Sequence, residues 1–584
     1  MTKVIVRVFF FSLLIISFSV KAQLKEYNEF VELKDPKARD IESWKAYKAG
    51  SYSAFVSEDD RFDRSSAPKR TQIRQSWNGK GWKGERIHTQ ALIWTSKGIN
   101  DVRLSVDDLI GIGVAKIPKE NVHANFIRYV LTDHLGDLKS GCGIPEGLDT
   151  SLQADMIDNI LSLTIDPQTS RPLWLSIDIP QNTKAGIYKG SLKISSASYT
   201  IQLPFQVEVL SHELPLATDW NFHLDMWQNP YSVARVYGVE PWSEAHFEMM
   251  KPVMKRLAEA GQKVITATII KDPWNSQTYD IYGSMVKWTK KKDGSWDYDY
   301  TVFDKWVQYM MDLGVDKFIN CYSMIPWNLK FYYFDEATNK EEVLVAKPGF
   351  KAYTDYWQKM LGDFSNHLKK KGWFEKTTIA MDERPEEDMK AAIAIIKAAD
   401  PDFKVSLAGN YHSSLKEELV DYSVAFEQPI PAEVIQSRKE KGLNTTFYTC
   451  CAEPFPNIHT SAPYAEATWL PWYALNKGFD GYLFWSYNSW NEDPLHDARF
   501  RRWVAGDTYK VYPGNRSSIR FERLREGIQD YEKVSILRKQ FNQAGNIENL
   551  KKLEDAIKNF EFEVLKKNPA SDAVRNAKAI LNSF

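Results

Sequence analysis

Two adjacent carboxylates stand at the end of an apolar run in the middle of the chain. The run covers 377–383, and its last two residues are Asp382 and Glu383. Burying carboxylates on such a run costs free energy unless they have partners or a function. Two acids this close also oppose each other's ionisation, so one tends to keep its proton while the other stays charged. The pair therefore indicates a site for proton transfer and charge stabilisation.

The adjacency of the two acids restricts the chemistry further. Glycosidases usually place an acid and a nucleophile or base on opposite sides of the sugar, at least ~5 Å apart. Neighbouring residues approach a substrate from one side, which fits better with substrate assistance, in which the 2-acetamido oxygen of the sugar attacks its own anomeric carbon. The alternative is a helix start, where proline and acidic residues are favoured. We assign the three acids at 386–388, after Pro385, to that helix start, and Asp382 and Glu383 to catalysis.

A second group of candidates consists of aromatic, amide and histidine side chains near the ends of other apolar runs. Aromatic faces and amides are suited to hold sugar rings and their hydroxyls. The candidate substrate-binding residues are Tyr448, Trp485, Tyr487, Asn488, Trp490, Asn410 and His412. Trp485 and Tyr448 could equally be packing residues, and a lone histidine such as His412 is more often structural. Glu427, which ends another run, is the main rival for an acid role.

Eight short apolar runs alternate with longer helical stretches after residue 215. The predicted strands cover 220–227, 264–270, 317–324, 377–383, 404–410, 423–429, 445–450 and 481–487. The predicted helices cover 243–260, 301–313, 351–371, 385–399, 413–420, 431–441, 463–477 and 519–540. This α/β count is typical of a (β/α)8 TIM-type barrel, whose active residues lie at the carboxyl ends of the strands. A doubly wound sheet competes, but no glycine-rich phosphate loop follows an early strand.

The residues before the barrel have a different pattern, with short alternating strands and turn signals that indicate an N-terminal β-sandwich. We predict a signal peptide at 1–22, the β-sandwich domain at 23–215, the catalytic barrel at 216–540 and a short C-terminal helical tail at 541–584. Near the end of the barrel, Glu522, Arg525 and Glu526 are spaced as neighbours on one helix face. We interpret them as an ion-paired helix end that locks the last helix to the barrel.

Composition excludes several classes of function. The 584 residues carry 75 Lys+Arg against 76 Asp+Glu, which leaves no electrostatic footprint for nucleic acid. No motif has metal-ligand spacing, so we expect no metal and no other cofactor. Four cysteines, Cys142, Cys321, Cys450 and Cys451, are too few for a disulfide-built scaffold, although one disulfide is possible in an oxidising compartment.

The N-terminus has the pattern of an export signal. Lys3 and Arg7 precede an apolar run at 8–20, and Val20 and Ala22 suit a cleavage site before Gln23. The run is shorter than the ~20 residues that a membrane span needs, and no cysteine follows it to carry a lipid. We therefore expect an exported protein, periplasmic or secreted, with no stable membrane insertion after removal of the signal.

Four stretches together resemble one known family. They are Met381-Asp-Glu-Arg-Pro385, the Gly-Phe-Asp-Gly-Tyr-Leu-Phe-Trp-Ser-Tyr-Asn-Ser-Trp stretch at 478–490, Gly506-Asp-Thr-Tyr-Lys-Val-Tyr-Pro513, and 518–532. In this order they are similar to glycoside hydrolase family 123, and the resemblance covers most of the chain from about residue 160. The turn and strand at 180–190 are similar to the family's N-terminal β-sandwich.

The resemblance implies a retaining, exo-acting β-N-acetylgalactosaminidase that releases terminal β-linked GalNAc, typically from glycosphingolipid-type glycans, by substrate assistance. By that match Asp382 would stabilise the acetamido group and the oxazoline, and Glu383 would be the general acid/base. Family 20 hexosaminidases have a similar pair, but Ala380-Met381 replaces their Gly-Gly context here. Two alternatives stay open: a non-catalytic glycan-binding protein, and a barrel glycosidase acting on another β-linked sugar such as GlcNAc. In each case the partner is an oligosaccharide.

Overall fold

The computed structural model describes residues 30–133, 150–426, 428, 430–501 and 503–584. The predicted signal peptide, Cys142 and Glu427 lie outside these residues. Cys451 is disulfide-bonded, whereas Cys321 and Cys450 are free thiols.

The N-terminal part contains two sheets that pack face to face. Its strands are β1 (Ser51–Val56), β2 (Trp77–Lys83), β3 (Arg86–Thr95), β4 (Ile99–Val106), β5 (Leu109–Ile110), β6 (Lys116–Ile117), β7 (Val122–Asp133), β8 (Thr150–Asp158), β9 (Ser162–Ile165), β10 (Thr169–Asp178), β11 (Gly186–Ser195) and β12 (Thr200–Glu213). One sheet runs β1-β3-β10-β7-β8 and the other β2-β12-β11-β4-β9. Phe126 and Leu173 of the first sheet share a core with Leu192 and Phe205 of the second. This arrangement is the predicted β-sandwich.

The strands that follow are β13 (His223–Met226), β14 (Val264–Thr268), β15 (Lys287–Lys290), β16 (Trp296–Asp299), β17 (Phe318–Tyr322), β18 (Lys330–Asp335), β19 (Lys340–Val345), β20 (Thr377–Asp382), β21 (Lys404–Gly409), β22 (Leu419–Ala425), β23 (Asn444–Tyr448), β24 (Gly481–Phe484) and β25 (Ser517–Ser518). Eight of them form a parallel sheet in the order β13-β24-β23-β22-β21-β20-β17-β14. A bridge between Leu224 of β13 and Gln262, just before β14, brings the two ends of the sheet together. The sheet is therefore a nearly closed barrel, which confirms the predicted fold class.

The helices are α1 (Ile41–Trp44), α2 (Pro230–Tyr237), α3 (Glu244–Ala258), α4 (Thr301–Asp312), α5 (Lys351–Lys371), α6 (Glu386–Ala399), α7 (Ala432–Glu440), α8 (Tyr464–Lys477), α9 (Ile519–Ala544), α10 (Ile547–Ile557), α11 (Phe562–Leu565) and α12 (Ala570–Leu581). The helix predicted at 413–420 is wrong: only a short 3₁₀ turn, Ser413–Leu415, precedes β22. The reason is that β22 begins at Leu419, four residues before the predicted start of that strand, and leaves no room for a helix.

Two insertions after barrel strands form a feature that the sequence pattern does not predict. β15 and β16 follow β14, β18 and β19 follow β17, and together they make a four-stranded sheet in the order β16-β15-β18-β19. Trp288 of this sheet stacks on Tyr356 of α5, with ring centroids 4.4 Å apart. The insertion sheet is therefore fixed to the outer layer of the barrel at the end where the strands terminate.

Helix α9 lies between the barrel and the sandwich rather than on the barrel alone. Its N-terminal neighbour β25 pairs with β8 of the sandwich, and α9 packs against α8 on its other side. Arg523 of α9 forms an ion pair with Asp59 of the N-terminal part, and Lys533 with Glu85. Of the residues predicted to pair, Glu522 lies near Arg86 of the sandwich and Arg256 of the barrel, and Glu526 pairs with Arg523 on the same helix, so the ion pairs join the helix to the sandwich as well as to the barrel. Among the described residues, no helix is long and apolar enough to cross a membrane.

Candidate active site

A cavity of about 240 Å³ opens where the barrel strands end. It is lined by Trp227, Trp274, Gln277, Trp327, Asp382, Glu383, Ala408, Tyr448, Cys450, Cys451, Leu483, Trp485 and Trp503. Five tryptophans and one tyrosine dominate this lining, and Asp382 and Glu383 supply its carboxylates among the described residues. The cavity is thus an aromatic pocket with two acids on one wall.

Asp382 reaches the cavity because side chains alternate along β20. Ile379 and Met381 pack outward against the helices, whereas Ala380 lies in the aromatic cluster at the barrel mouth. Asp382, two residues on, points the same way as Ala380. Its Oδ2 accepts a hydrogen bond of 2.9 Å from the indole nitrogen of Trp327.

The environment of Asp382 favours its neutral form more than that of an ordinary aspartate. Burial and the negative charge of Glu383 raise the pKa of Asp382 to about 7, although Trp327 and Arg384 act in the opposite direction. The Arg384 guanidinium lies over the Trp327 ring, 4.3 Å from its centroid, and its Nε donates to the backbone oxygen of Asp382. Asp382 is therefore poised to change its charge near neutral pH.

Glu383 is held by an unusual backbone conformation. Its φ of 48° lies in the left-handed region, which costs free energy for a residue with a side chain. Its N–H donates to the oxygen of Ala408 at 2.7 Å, continuing the contact between β20 and β21. Gly409 makes this approach possible, because a Cβ there would lie only 3.1 Å from the Cα of Glu383. The turn directs the side chain of Glu383 into the cavity immediately after Asp382.

Tyr448, the last residue of β23, bonds directly to the acid pair. Its hydroxyl donates to Glu383 Oε1 at 2.7 Å. Burial and the charge of Glu383 raise the pKa of Tyr448 well above its ordinary value, so the hydroxyl keeps its proton. Tyr448 is therefore a hydrogen-bond donor in the lining of the cavity.

The aromatic walls come from several different loops. Trp227 follows β13 and lies 4.9 Å from Trp274 and 4.7 Å from Tyr322, measured between ring centroids. Trp485, which follows the neighbouring strand β24, donates from its indole nitrogen to Asp507 Oδ1 at 3.0 Å. Trp503 donates to the backbone oxygen of Gln277 at 2.9 Å, which joins two loops at the rim.

The structure brings Asp382, Glu383, Tyr448 and Trp485 together, but not the three residues predicted after Trp485. Tyr487 is buried and donates to the oxygen of Val253, and the buried Trp490 donates to the oxygen of Val511. Asn488 is buried and bonds to the backbone oxygen of Asn229. The physical reason is that β24 ends at Phe484, and the chain beyond Trp485 turns into the packing between the barrel helices and the 503–513 segment.

Asn410 and His412 also lie outside the cavity lining. Asn410 is exposed, and its backbone oxygen accepts a hydrogen bond from Tyr422. The His412 ring nitrogen Nε2 is 3.1 Å from the backbone oxygen of Arg384, so this histidine supports the turn that follows the acid pair. The described residues contain no group of three or more His, Cys, Asp or Glu that could hold a metal ion.

Four tryptophans of the cavity were not among the predicted site residues, and one of them, Trp227, directly follows β13. Trp274, Trp327 and Trp503 stand in long loops, several residues after the end of the preceding strand. Pro273 before Trp274 and Pro326 before Trp327 are the signals that could have marked them, because a proline fixes the loop that presents the ring.

Comparisons with known proteins agree with this geometry. The sequence model described as glycoside hydrolase 123, catalytic domain, matches residues 227–537, and that of the glycoside hydrolase 123 N-terminal domain matches residues 55–196. A family 123 glycoside hydrolase from Clostridium perfringens, whose structural analysis concerns glycolipid glycan hydrolysis, is 29% identical to this chain, with a TM-score of 0.83. The comparison covers 91% of this chain and 98% of that chain.

Other solved structures are much less similar. A GH10 xylanase with a bacterial Ig-like domain from termite gut is 10% identical with a TM-score of 0.29, covering 62% of this chain and 90% of that one. The Bacteroides uniformis beta-glucuronidase 3 is 11% identical with a TM-score of 0.29, and the comparison covers 77% of this chain and 50% of that one. A comparison with curated proteins gives no match. Because the catalytic-domain match spans more than half of the sequence, the chain belongs to glycoside hydrolase family 123.

Proposed function

We propose that this glycoside hydrolase is an exo-acting, retaining β-N-acetylgalactosaminidase that uses the acetamido group of its substrate as the nucleophile. The observation that carries the proposal is the position of Asp382 and Glu383 on one wall of the aromatic cavity. Among the described residues, no carboxylate lines the opposite wall. A mechanism with an enzymatic nucleophile needs acids on both sides of the sugar, whereas substrate assistance needs a pair on one side.

In the proposed reaction, Glu383 protonates the glycosidic oxygen as the bond to the anomeric carbon breaks. The acetamido carbonyl oxygen attacks the same carbon and closes an oxazolinium ring. Asp382, in its charged form, accepts the N–H of the acetamido group and stabilises the developing positive charge. Water then attacks the anomeric carbon, Glu383 takes its proton, and the ring opens to restore the acetamido group with net retention.

Tyr448 and the tryptophans complete the site in this proposal. The Tyr448 hydroxyl, which donates to Glu383, is close enough to the pair to turn toward the acetamido oxygen of a bound sugar. The tryptophans pack against the apolar faces of the sugar and exclude water from the reacting carbon. Since the family 123 enzyme from Clostridium perfringens is associated with glycolipid glycans, we propose glycolipid-type glycans as the substrate of this enzyme, met after export to the periplasm or medium.

A panel of aryl β-glycosides of GalNAc, GlcNAc and galactose tests the assignment. The proposal predicts release from the GalNAc glycoside, weaker release from the GlcNAc glycoside, and almost none from the galactoside, which lacks an acetamido group. A thiazoline mimic of the oxazoline should inhibit competitively. Efficient cleavage of the galactoside together with no inhibition by the thiazoline would reject substrate assistance, and preferred cleavage of the GlcNAc glycoside would change the sugar but keep the mechanism.

A further inference from the structure

A second cavity lies between the β-sandwich and the barrel and shares no lining residue with the active site. Its volume of about 460 Å³ is nearly twice that of the active-site cavity and lies within the range of ligand pockets, roughly 300–1,000 Å³. The lining residues are Arg86, Leu104, Ser105, Val106, Val122, His123, Ala124, Asn125, Ile157, Asn159, Trp174, Ser176, Arg256, Asn515, Ser517 and Glu522. We call this cavity the interdomain cleft.

Glu522 of α9 supplies a charged acceptor to the interdomain cleft. Its Oε1 accepts a hydrogen bond of 2.6 Å from Ser517, whereas its buried Oε2 makes no hydrogen bond to a described residue. The nearest cationic atoms are Arg86 Nη1, 3.5 Å from Oε2, and Arg256 Nη1, 3.7 Å from Oε1. Burial would raise the pKa of Glu522, but these guanidinium groups, Arg525 and the Ser517 hydroxyl lower it to about 2. The carboxylate is therefore charged, and its Oε2, although ion-paired with Arg86, accepts no hydrogen bond from a described residue.

A donor in the same cleft is also without a partner. The indole nitrogen of Trp174, a residue only 1% exposed, makes no hydrogen bond to a described residue. Buried polar atoms are normally hydrogen-bonded, so a donor and an acceptor that make no hydrogen bond to a described residue in one cavity call for an explanation. Asn125, Asn515 and Ser105 add amide and hydroxyl groups to the same lining.

The charges restrict what could satisfy these groups. An anion would meet the Glu522 carboxylate, and a cation would meet Arg86 and Arg256. A neutral ligand with several hydroxyls can donate to Glu522 and accept from Trp174 and from the amides at the same time. We propose that the interdomain cleft is a second carbohydrate-binding site that takes a neutral mono- or disaccharide unit, separate from the site of hydrolysis.

Binding of lactose to the full-length protein, followed by saturation-transfer NMR, tests this proposal independently of any catalytic activity. Lactose is neutral and has no acetamido group that would direct it to the proposed active site. The blocking variant is Ser105→Trp, because Ser105 is exposed on β4 and lines the cleft. The matched control is Asn100→Trp, exposed on the same strand but outside the cleft. Trp327→Ala alters the active-site cavity instead.

We expect millimolar lactose to bind the wild type, Asn100→Trp and Trp327→Ala alike, and Ser105→Trp at least about tenfold more weakly. If Ser105→Trp does not fold, Asn159→Trp, at another exposed lining position, replaces it. Loss of binding in Trp327→Ala but not in Ser105→Trp would place lactose in the active site and overturn the proposal. Absence of binding to the wild type, or displacement of lactose by inorganic sulfate, would overturn it as well.

Discussion

Two carboxylate clusters of this enzyme differ in what surrounds them: the pair at the barrel mouth is partly open to solvent, whereas the acids of α9 are buried. At the barrel mouth, Asp382 and Glu383 lie next to each other, to the donors Trp327 and Tyr448, and to the Arg384 guanidinium. On α9, Glu526 contacts Arg523 at 2.5 Å and Lys578 at 2.8 Å, with His88 at 3.4 Å. The first cluster has excess negative charge, and the second is compensated by cations.

The difference in surroundings separates two uses of an acid. At the mouth, burial and mutual repulsion raise the pKa of Asp382 to about 7, so its protonation changes in the range where an enzyme works. On α9, burial is outweighed by Arg523, Lys578 and His88, and the pKa of Glu526 lies well below its ordinary value. An acid of the second kind keeps its charge and holds the sandwich against the barrel, while an acid of the first kind can exchange protons with a substrate.

The largest expected effect comes from Glu383→Gln, because the amide has no proton to give to the leaving oxygen. We expect kcat/KM for a GalNAc-terminated disaccharide to fall by ~10²–10⁴ with an unchanged melting temperature. Glu387→Gln, an exposed acid four residues further on, is the matched control and should keep wild-type rates. Wild-type turnover of the disaccharide by Glu383→Gln would remove the distinction between the two clusters.

Glu526→Gln is expected to lower the stability of the protein without lowering its activity, the opposite of Glu383→Gln. Removing this charge takes one buried counterion from Arg523 and Lys578, which keep Asp59 and Asp530 as partners, so we expect a loss of about 3 kcal/mol of unfolding free energy, the lower end of the range for a broken buried pair. Chemical denaturation measures this loss, and kcat/KM of the folded variant should stay within about twofold of wild type. Glu563→Gln breaks the exposed pair with Lys566, and solvent screening should leave the unfolding free energy almost unchanged. A large loss of activity with intact stability in Glu526→Gln would contradict the comparison.

Asp382→Asn tests the other half of the active pair. The amide can still accept from Trp327, but it supplies no negative charge to the oxazolinium ring. We expect kcat to fall by ~10²–10³ with little change in KM, measured on the aryl β-GalNAc glycoside. Asp388→Asn, at the start of α6, serves as control. A loss of less than about tenfold in kcat would argue against a charge-stabilising role.

The smallest effect is a shift in pH dependence for Trp327→Phe. The indole hydrogen bond favours the charged form of Asp382, so its removal raises the pKa of this group above about 7. In the proposed mechanism, activity needs the charged form of Asp382 and falls as pH decreases through that pKa. The acidic limb of kcat/KM should therefore move to higher pH by up to about one unit. Trp503 donates from its indole nitrogen to Gln277 instead, so Trp503→Phe should leave the acidic limb of kcat/KM unchanged. A shift to lower pH would be inconsistent with the assigned bond.

The barrel and the acid pair could be predicted from the sequence because both leave local signals. Each barrel strand is a short apolar run, and Asp382 ends one of them directly before a proline-initiated helix. The aromatic walls could not be predicted in the same way. Trp274, Trp327 and Trp503 reach the cavity only through loops whose path depends on contacts with distant segments, such as the bond from Trp503 to Gln277.

The residues after Trp485 illustrate the converse problem. Tyr487, Asn488 and Trp490 have the composition of a sugar site, but the same polar atoms can satisfy buried backbone groups. Asn488 does so with the backbone of Asn229, 259 residues away in sequence. Composition alone does not distinguish these two uses, because the partner is fixed by the tertiary fold.

The most direct test of the central claim is a series of aryl β-GalNAc glycosides in which the N-acetyl group carries zero to three fluorines. Fluorine withdraws electrons from the carbonyl oxygen that attacks the anomeric carbon in substrate assistance. We predict that kcat/KM of the wild type falls with each fluorine, by about tenfold or more across the series. A rate independent of fluorination would show that the acetamido oxygen is not the nucleophile and would contradict the role assigned to Asp382 and Glu383.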